Sequence, residues 1–466
     1  MTEGPISNRP SSAEGRGRDG LRKGDVGGAG EGSRSLFSSF SWSVAGNVIY
    51  SACQWGVIII LAKLVTTEIV GVYSLALAVT TPVIMLSQMN LKLVQATDAD
   101  HRVAFNTYFS IRFFLTVLAL AIIAIVSWVV GRGASAVLII VMVGAAKAFE
   151  SISDICYGLF MQHERMDVMG TSLVVRSVLS LALFFVLLYF LQSVPTGLLG
   201  LTLVWAIMLF SYDMRKARKL DRAQRSKTGV GDTESAVKAD SFIPRWDLPA
   251  FNGVFFLSLP MGVASVLESL TVYIPRYAIA YFSGESQLGI FTALTYLLLA
   301  IGLVVYSVTF ASVPRLAQHH ARGEEREFGL LLLTVFVIIS AVCVVMMLGV
   351  LLFGERLILF LYTDRYAQYS YLLAWLMGAG IFMFSGTVLN TALVAMRRFA
   401  VLMGVHLCGV ACVSIASLLL IPSHGLIGAV WAVTISAAVI LMIQVGVLVH
   451  LMRKRGPRAA RHEKPR

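Results

Sequence analysis

Three ionisable residues interrupt a stretch that otherwise reads as hydrocarbon. "AAKAFESISDICYGLF", residues 145–160, carries Lys147, Glu150 and Asp154 among apolar neighbours. On a helix advancing about 100° per residue these three fall within an arc of roughly 60°, with Ser151 beside them, so they form one polar stripe. Arg112 and Arg176 stand in two nearby apolar blocks at comparable depth, and a later block, "FFLSLPMGVASVLESLTVYIPRYAIAYF", holds Glu268 and Arg276. Asn47, Ser51 and Gln54 add a milder stripe to the first block.

Two kinds of chemistry suit these residue types. Fixed cations would hold an anion such as a phosphate, with Arg able to offer paired N–H donors, while the carboxylates would tune those cations or carry a proton. The competing reading is structural. Lys147, Glu150, Asp154 and Arg176 would then be a neutralised cluster locking helices together, Arg276 a cation snorkelling to the interface beside Tyr277, and Asn47 and Gln54 hydrogen-bonding glue between helices. Glu268 has no nearby surface to reach, which favours a wet lumen.

The sequence carries no glycine-rich phosphate loop, no HExxH, no paired CxxC and no soluble scaffold for a Ser-His-Asp arrangement, so neither enzyme, metal site nor cofactor is expected. The five cysteines, Cys53, Cys156, Cys343, Cys408 and Cys412, are odd in number and all sit in apolar segments, where they read as packing residues. His163, His319 and His320 fall in polar turns and read as solvated.

The elements that must position these groups follow from composition. Of 466 residues 57% are apolar and 14% charged, and the mean hydropathy is +0.78, which no soluble domain approaches. Apolar blocks about 20 residues long, enough for a helix to cross a ~30 Å hydrocarbon layer, recur near 42–62, 70–90, 107–130, 135–159, 168–190, 195–213, 250–274, 288–311, 328–353, 369–393, 399–421 and 425–449. The expected fold is therefore an all-α integral membrane protein with twelve transmembrane helices. Pro260 inside one block bends it, and Trp42, Trp128 and Trp246 sit where aromatic belts belong.

With the N-terminus in the cytoplasm, about 30 of the 38 Lys and Arg fall on the cytoplasmic side, against Lys63, Arg132, Arg276, Arg356 and Arg365 outside. That bias puts both termini on the cytoplasmic side. It also accounts for the net charge of +12 through attraction to anionic lipid, without nucleic acid. Residues 1–38 are too polar to bury and lack the basic start and apolar core of a signal peptide, so they read as a disordered basic tail. Residues 451–466 form a second basic tail. The connection 354–368 is the longest expected on the outside, at about 15 residues, too short for a catalytic domain.

The basic stretch 214–249 divides the chain into an N-terminal lobe, 39–213, and a C-terminal lobe, 250–450. Local similarities recur in the same order in both lobes: "GVYSLAL" (71–77) with "GIFTALT" (289–295), Met169-Gly170 with Met403-Gly404, and "GLLGLTLVWAI" (197–207) with "GLIGAVWAV" (425–433). Six spans per repeat is an even number, so the lobes run parallel, and two such lobes around a central site are a transporter architecture.

"GVYSLALAVTTPVIMLSQMNLKLVQATD", "YIPRYAIAYFSGESQLGIFTALTYLL" and the two GL[LI]G span openings resemble the polysaccharide-biosynthesis flippases (Wzx-like) of the multidrug, oligosaccharidyl-lipid and polysaccharide exporter superfamily, over roughly residues 38–450. The resemblance implies a two-lobed, MATE-like protein that moves a polyprenyl-pyrophosphate-linked oligosaccharide across the bilayer by alternating access. It also implies a cationic lumen, to which Arg112, Lys147, Arg176 and Arg276 would contribute, and export for O-antigen, capsule or exopolysaccharide assembly. Its partners would be the lipid-linked oligosaccharide, the bilayer, and a polysaccharide polymerase with glycosyltransferases. Two other readings stay open: a cation-coupled drug exporter of the same superfamily, and a non-transporting scaffold that docks an assembly complex through 214–249.

Overall fold

The computed structural model describes residues 28–98, 103–131, 133–228, 242–244, 248–396 and 398–462. Among them the regular structure is helical throughout. Helices α1 (Gly28–Leu64), α2 (Thr67–Gln88), the short α3 (Leu91–Ala96), α4 (Phe105–Val130), α5 (Ala134–Gln162), α6 (Met166–Leu191) and α7 (Val194–Met208) make the first half. A π turn, Leu209–Asp213, carries α7 into α8 (Met214–Thr228). The second half comprises α9 (Leu248–Phe282), α10 (Glu285–Arg322), α11 (Glu325–Leu361), the one-turn α12 (Asp364–Ala367), α13 (Ser370–Ala395) and α14 (Phe399–His462).

Among the described residues ten helices are long and apolar enough to cross a membrane. One of the ten, Ala400–Met452, has 53 residues, about 80 Å at 1.5 Å per residue, far more than one crossing needs. It breaks at Gly425 (φ 58°, ψ −132°), the first glycine of the second GL[LI]G sequence, a conformation that only glycine adopts without strain. α10, 38 residues long, is not among the ten.

Three segments differ from the sequence reading. Residues 28–38 are the first turns of α1, while 1–27 lie outside the described residues. The stretch 354–368 is mostly helix, because "ERLILFL" continues the apolar run of α11 to Leu361 and leaves only a tight connection through α12. Residues 214–228 continue the polypeptide as α8, whereas 229–241, 245–247 (with Trp246) and Arg132 lie outside the described residues. The described Trp42 and Trp128 are both exposed, as belt residues are. All five cysteines are free.

The two halves meet where α2 crosses α10, and the crossing is built from the repeat itself. A Cβ on Gly71 would stand 1.8 Å from the Glu285 carbonyl oxygen, and one on Gly289 would stand 2.0 Å from that of Thr67. Only bare backbone fits there, as in other close helix contacts within bilayers. The partners are mutually equivalent: Gly71 and Gly289 are 218 residues apart, and so are Thr67 and Glu285. One helical turn on, the fully buried Ser74 and Thr292, again 218 apart, share a hydrogen bond of 2.5 Å. Thr67 and Ser286 share another at 2.7 Å at the exposed end. α9 seals against α2 along its length, with the Tyr277 hydroxyl donating to the Ala78 carbonyl and Asn90 donating to Ser265 at 2.9 Å.

Replacing Gly71 or Gly289 by Ala forces the crossing helices apart and should lower the stability of the purified protein by about 1–3 kcal/mol, the usual cost of overpacking. Thermal unfolding in detergent checks this, with Gly404→Ala, where no atom lies within 4 Å of an added Cβ, as the control.

Candidate functional site

The stripe on α5 does not act as one unit. It splits into two ion-paired groups separated by a helical turn. Lys147 donates to Glu150 at 2.7 Å, and the Tyr50 hydroxyl from α1 donates to the same carboxylate at 2.5 Å. Asp154 instead pairs with two cations, Arg112 from α4 at 3.1 Å and Lys92 from α3 at 2.7 Å. Of these two, Arg112 is fully buried and Lys92 is 39% exposed.

Lys92 was not among the residues singled out from the sequence, because it sits just beyond an apolar block, where a lysine reads as an interfacial anchor. The backbone places it in the site. α2 stops at Met89 and Asn90, both in the left-handed region (φ 47° and 52°), an arrangement costing about 1–2 kcal/mol for a residue with a Cβ. Gly262 of α9 packs on Met89, and Gly158 of α5 lets the Lys92 backbone lie close against α5. The re-aimed α3 brings the Lys92 ammonium onto Asp154.

Arg176 has no carboxylate partner. It is 1% exposed, and its Nε and Nη1 find no hydrogen-bond acceptor. Its guanidinium lies instead among the faces of Trp205, Tyr50 and Tyr157, at 4.9, 5.7 and 5.7 Å from the ring centroids. Aromatic faces offset part of the cost of burying a cation but accept no directed hydrogen bond of salt-bridge strength. Asp213, at the end of the π turn, is also fully buried and accepts from Ser172 at 2.6 Å, while its second oxygen stays unpaired. It too escaped sequence reading, since it marks the end of an apolar block.

Some of these groups line a cavity of about 350 Å³, whereas Arg112, Lys147 and Asp213 do not. Asn47, Tyr50, Lys92, Glu150, Asp154 and Arg176 are among its walls, so the ionised stripe borders open volume rather than a dry knot. The charged walls balance, Lys92 and Arg176 against Glu150 and Asp154. Among the described residues Arg176 differs from the other three in having no opposite charge within ion-pair distance.

The remaining sequence candidates distribute unevenly. Gln54 is half-buried on α1 and lines neither this cavity nor the one in the second half. Arg276 does not snorkel: it is 2% exposed, with Nε and Nη2 unpaired, and lies 5.0 Å from the Tyr273 ring centroid. Neither Arg276 nor Lys147 lines either cavity. Glu268 is exposed and lines a separate cavity in the second half.

A family profile described as polysaccharide biosynthesis protein matches residues 36–320, well over half the chain. The chain belongs to that family. The capsular polysaccharide biosynthesis protein CapF of Staphylococcus aureus is 27% identical over 409 residues, spanning 87% of this chain and 98% of CapF. Among solved structures, the lipid II flippase MurJ in an inward closed conformation superimposes with a TM-score of 0.69 at 12% identity, over 88% of this chain and 87% of MurJ. An inward-facing MATE multidrug resistance transporter of the MOP superfamily follows at a TM-score of 0.61 and 13% identity, over 90% of this chain and 96% of its own. At such identities the likeness is one of fold. This member of the polysaccharide biosynthesis family is thus an all-α membrane protein built like the MATE and MurJ transporters.

Arg112→Ala would leave the half-buried Asp154 with only Lys92 and remove a fully buried side chain, and should destabilise the protein by about 2–3 kcal/mol. Lys92→Ala removes the more exposed cation and should cost about 1 kcal/mol or less. Thermal unfolding of the two purified variants side by side measures the difference.

Proposed function

We propose that this protein is a flippase, not an enzyme, and that it carries a polyprenyl-pyrophosphate-linked oligosaccharide from the cytoplasmic to the outer leaflet of a bacterial cytoplasmic membrane for O-antigen, capsule or exopolysaccharide assembly. The observation that carries this reading is Arg176. A buried guanidinium without a carboxylate, at the wall of a cavity inside the hydrocarbon zone, is a site awaiting an anion. A pyrophosphate supplies paired acceptor oxygens for its free N–H groups.

The neighbouring pairs suit the same role. Lys92, shared by Asp154 and open to solvent, can transfer from carboxylate to phosphate at little cost, while Arg112 stays as a fixed counter-charge. A drug exporter for cationic substrates would present free carboxylates here, whereas Glu150 and Asp154 are both spent on cations. CapF is a capsular polysaccharide biosynthesis protein and MurJ a lipid II flippase, and both support this reading.

Transport in this reading alternates between two lobes of six spans, 39–213 and 250–450, joined by a cytoplasmic 214–249, with twelve crossings in all once Ala400–Met452 counts as two and α10 as one. The glycine crossing of α2 and α10 closes the outer side. The exported unit then passes to a polymerase fed by glycosyltransferases.

Arg176→Ala, with the protein still folded and inserted, should reduce surface glycan by at least an order of magnitude, whereas Arg176→Lys, which keeps the charge but not the fork, should retain part of it. Glycan export quantified on whole cells decides this, and unchanged polymer in Arg176→Ala would overturn the anion site. For the motion, a Thr67→Cys/Ser286→Cys pair, oxidised across the outer end of the crossing, should halt flipping in proteoliposomes until reductant is added. Full activity of the cross-linked protein would refute alternating access at this gate.

A further inference from the structure

The second half holds a cavity of about 180 Å³, walled in part by the helix that corresponds to α1. The charged cavity is walled by α1, α2, α3, α5 and α6, and its counterpart by α9, α10, α13 and α14. The correspondence extends to residues. α1 ends at Leu64 and α9 at Phe282, 218 positions apart, the same spacing that separates Gly71 from Gly289. It carries Tyr50, in the wall of the first cavity, onto Glu268, in the wall of the second.

The chemistry of the two is different. No Lys or Arg lines the second cavity, and its walls are largely apolar, with Phe291 and Phe384 among them. Its polar groups bring both donors and acceptors, since Asn390 and Gln444 each carry an amide NH2 beside the oxygen. Gln444, 1% exposed, leaves its Oε1 unpaired, and the Oδ1 of Asn390 is unpaired as well. The Thr271, Thr295 and Thr387 hydroxyls already donate to backbone carbonyls, at 2.6, 2.7 and 3.1 Å, and that of Ser436 to the Gly409 carbonyl at 3.1 Å. What each hydroxyl still offers is a lone pair. The carboxylate of Glu268 adds two more acceptor oxygens, and the imidazole of His406 lies within its electrostatic reach.

A lining of amides and hydroxyls that both donate and accept calls for a ligand whose own groups do both, as the hydroxyls of a polyol do. Apolar walls with aromatic faces call for one that also has C–H surface. A metal ion would need a compact oxygen shell at about 2.0–2.6 Å and no such volume of apolar wall. A phosphate would meet Glu268 without a compensating cation.

We infer that this cavity is a glycan subsite that takes one neutral sugar ring of the lipid-linked cargo, with Asn390, Gln444 and Glu268 hydrogen-bonding its hydroxyl or acetamido groups and Phe291 and Phe384 facing its C–H surface. The inference rests on the flippase reading and deepens it. The first half holds the diphosphate, the second reads the sugar, and both subsites are reached from the cleft between the lobes. The two copies of the repeat divide the two parts of one ligand between them.

The test is equilibrium binding to the full-length protein in nanodiscs. The probes are undecaprenyl diphosphate without sugar and the same carrier bearing a single hexose, N-acetylhexosamine or 6-deoxyhexosamine. The wild type should bind at least one glycosylated carrier roughly tenfold more tightly than the bare one, the contribution expected of a few buried hydrogen bonds. Gln444→Leu and the milder Thr295→Val should erase most of that preference while binding the bare carrier as the wild type does, which also shows that the variants fold. Equal loss for bare and glycosylated carriers, no change for either, or a wild type indifferent to every sugar would overturn the subsite. A stabilisation by sodium over potassium that vanishes in Gln444→Leu would assign the cavity to a cation and overturn it as well. Arg176→Ala separates the two readings. If it still binds bare carrier normally, the anion site fails, whatever the sugar preference shows.

Discussion

An ionised side chain inside hydrocarbon must find an opposite charge, an aromatic face or water, and the first half of this protein is arranged around that demand. Glu150 and Asp154 answer it with partners: Lys147 and Tyr50 for one, Lys92 and Arg112 for the other. Arg176 answers it differently, with three ring faces and a wall of open volume. Everything that positions those partners follows from this. The left-handed break at Met89 and Asn90 exists to bring α3 onto α5, and the π turn after α7 sets Asp213 behind Ser172.

The second constraint is the contact between halves. In a bilayer, apolar side chains gain little by leaving lipid, so two helix bundles hold together through close backbone approach and a few polar links. Gly71 and Gly289 provide the approach, and Ser74 with Thr292 provides a buried link between equivalent positions. Around them the buried apolar side chains of α2 and α10 belong to one continuous core shared by both halves.

The two halves meet through positions 218 residues apart, yet their cavities differ. Tyr50 assists a carboxylate in a cavity walled by paired charges, while Glu268, 218 residues on, faces a cavity of amides, hydroxyls and aromatic rings. A ligand with a charged head and a neutral polyol next to it would meet complementary walls in both. The asymmetry between halves is therefore as informative about cargo as the repeat is about fold.

The sequence by itself determined the class: blocks of about 20 apolar residues admit only membrane helices, and the paired GVYSLAL and GIFTALT segments announced the repeat whose glycines turn out to touch. It also determined which blocks carry charge, since Lys147, Glu150, Asp154, Arg112, Arg176, Glu268 and Arg276 are conspicuous in apolar surroundings. It did not disclose Lys92, Asp213, Asn390 or Gln444, because a charge at a block's edge and an amide within a block look ordinary in one dimension. Only the tertiary structure decided which carboxylate each cation serves, that Arg276 is buried over Tyr273 rather than snorkelling outward, and that Arg176 alone in its cavity has no carboxylate partner. The physical reason is that periodicity fixes the face of a helix on which a residue lies, whereas a pair is fixed by the crossing of two helices distant in sequence, set here by glycines and a backbone break.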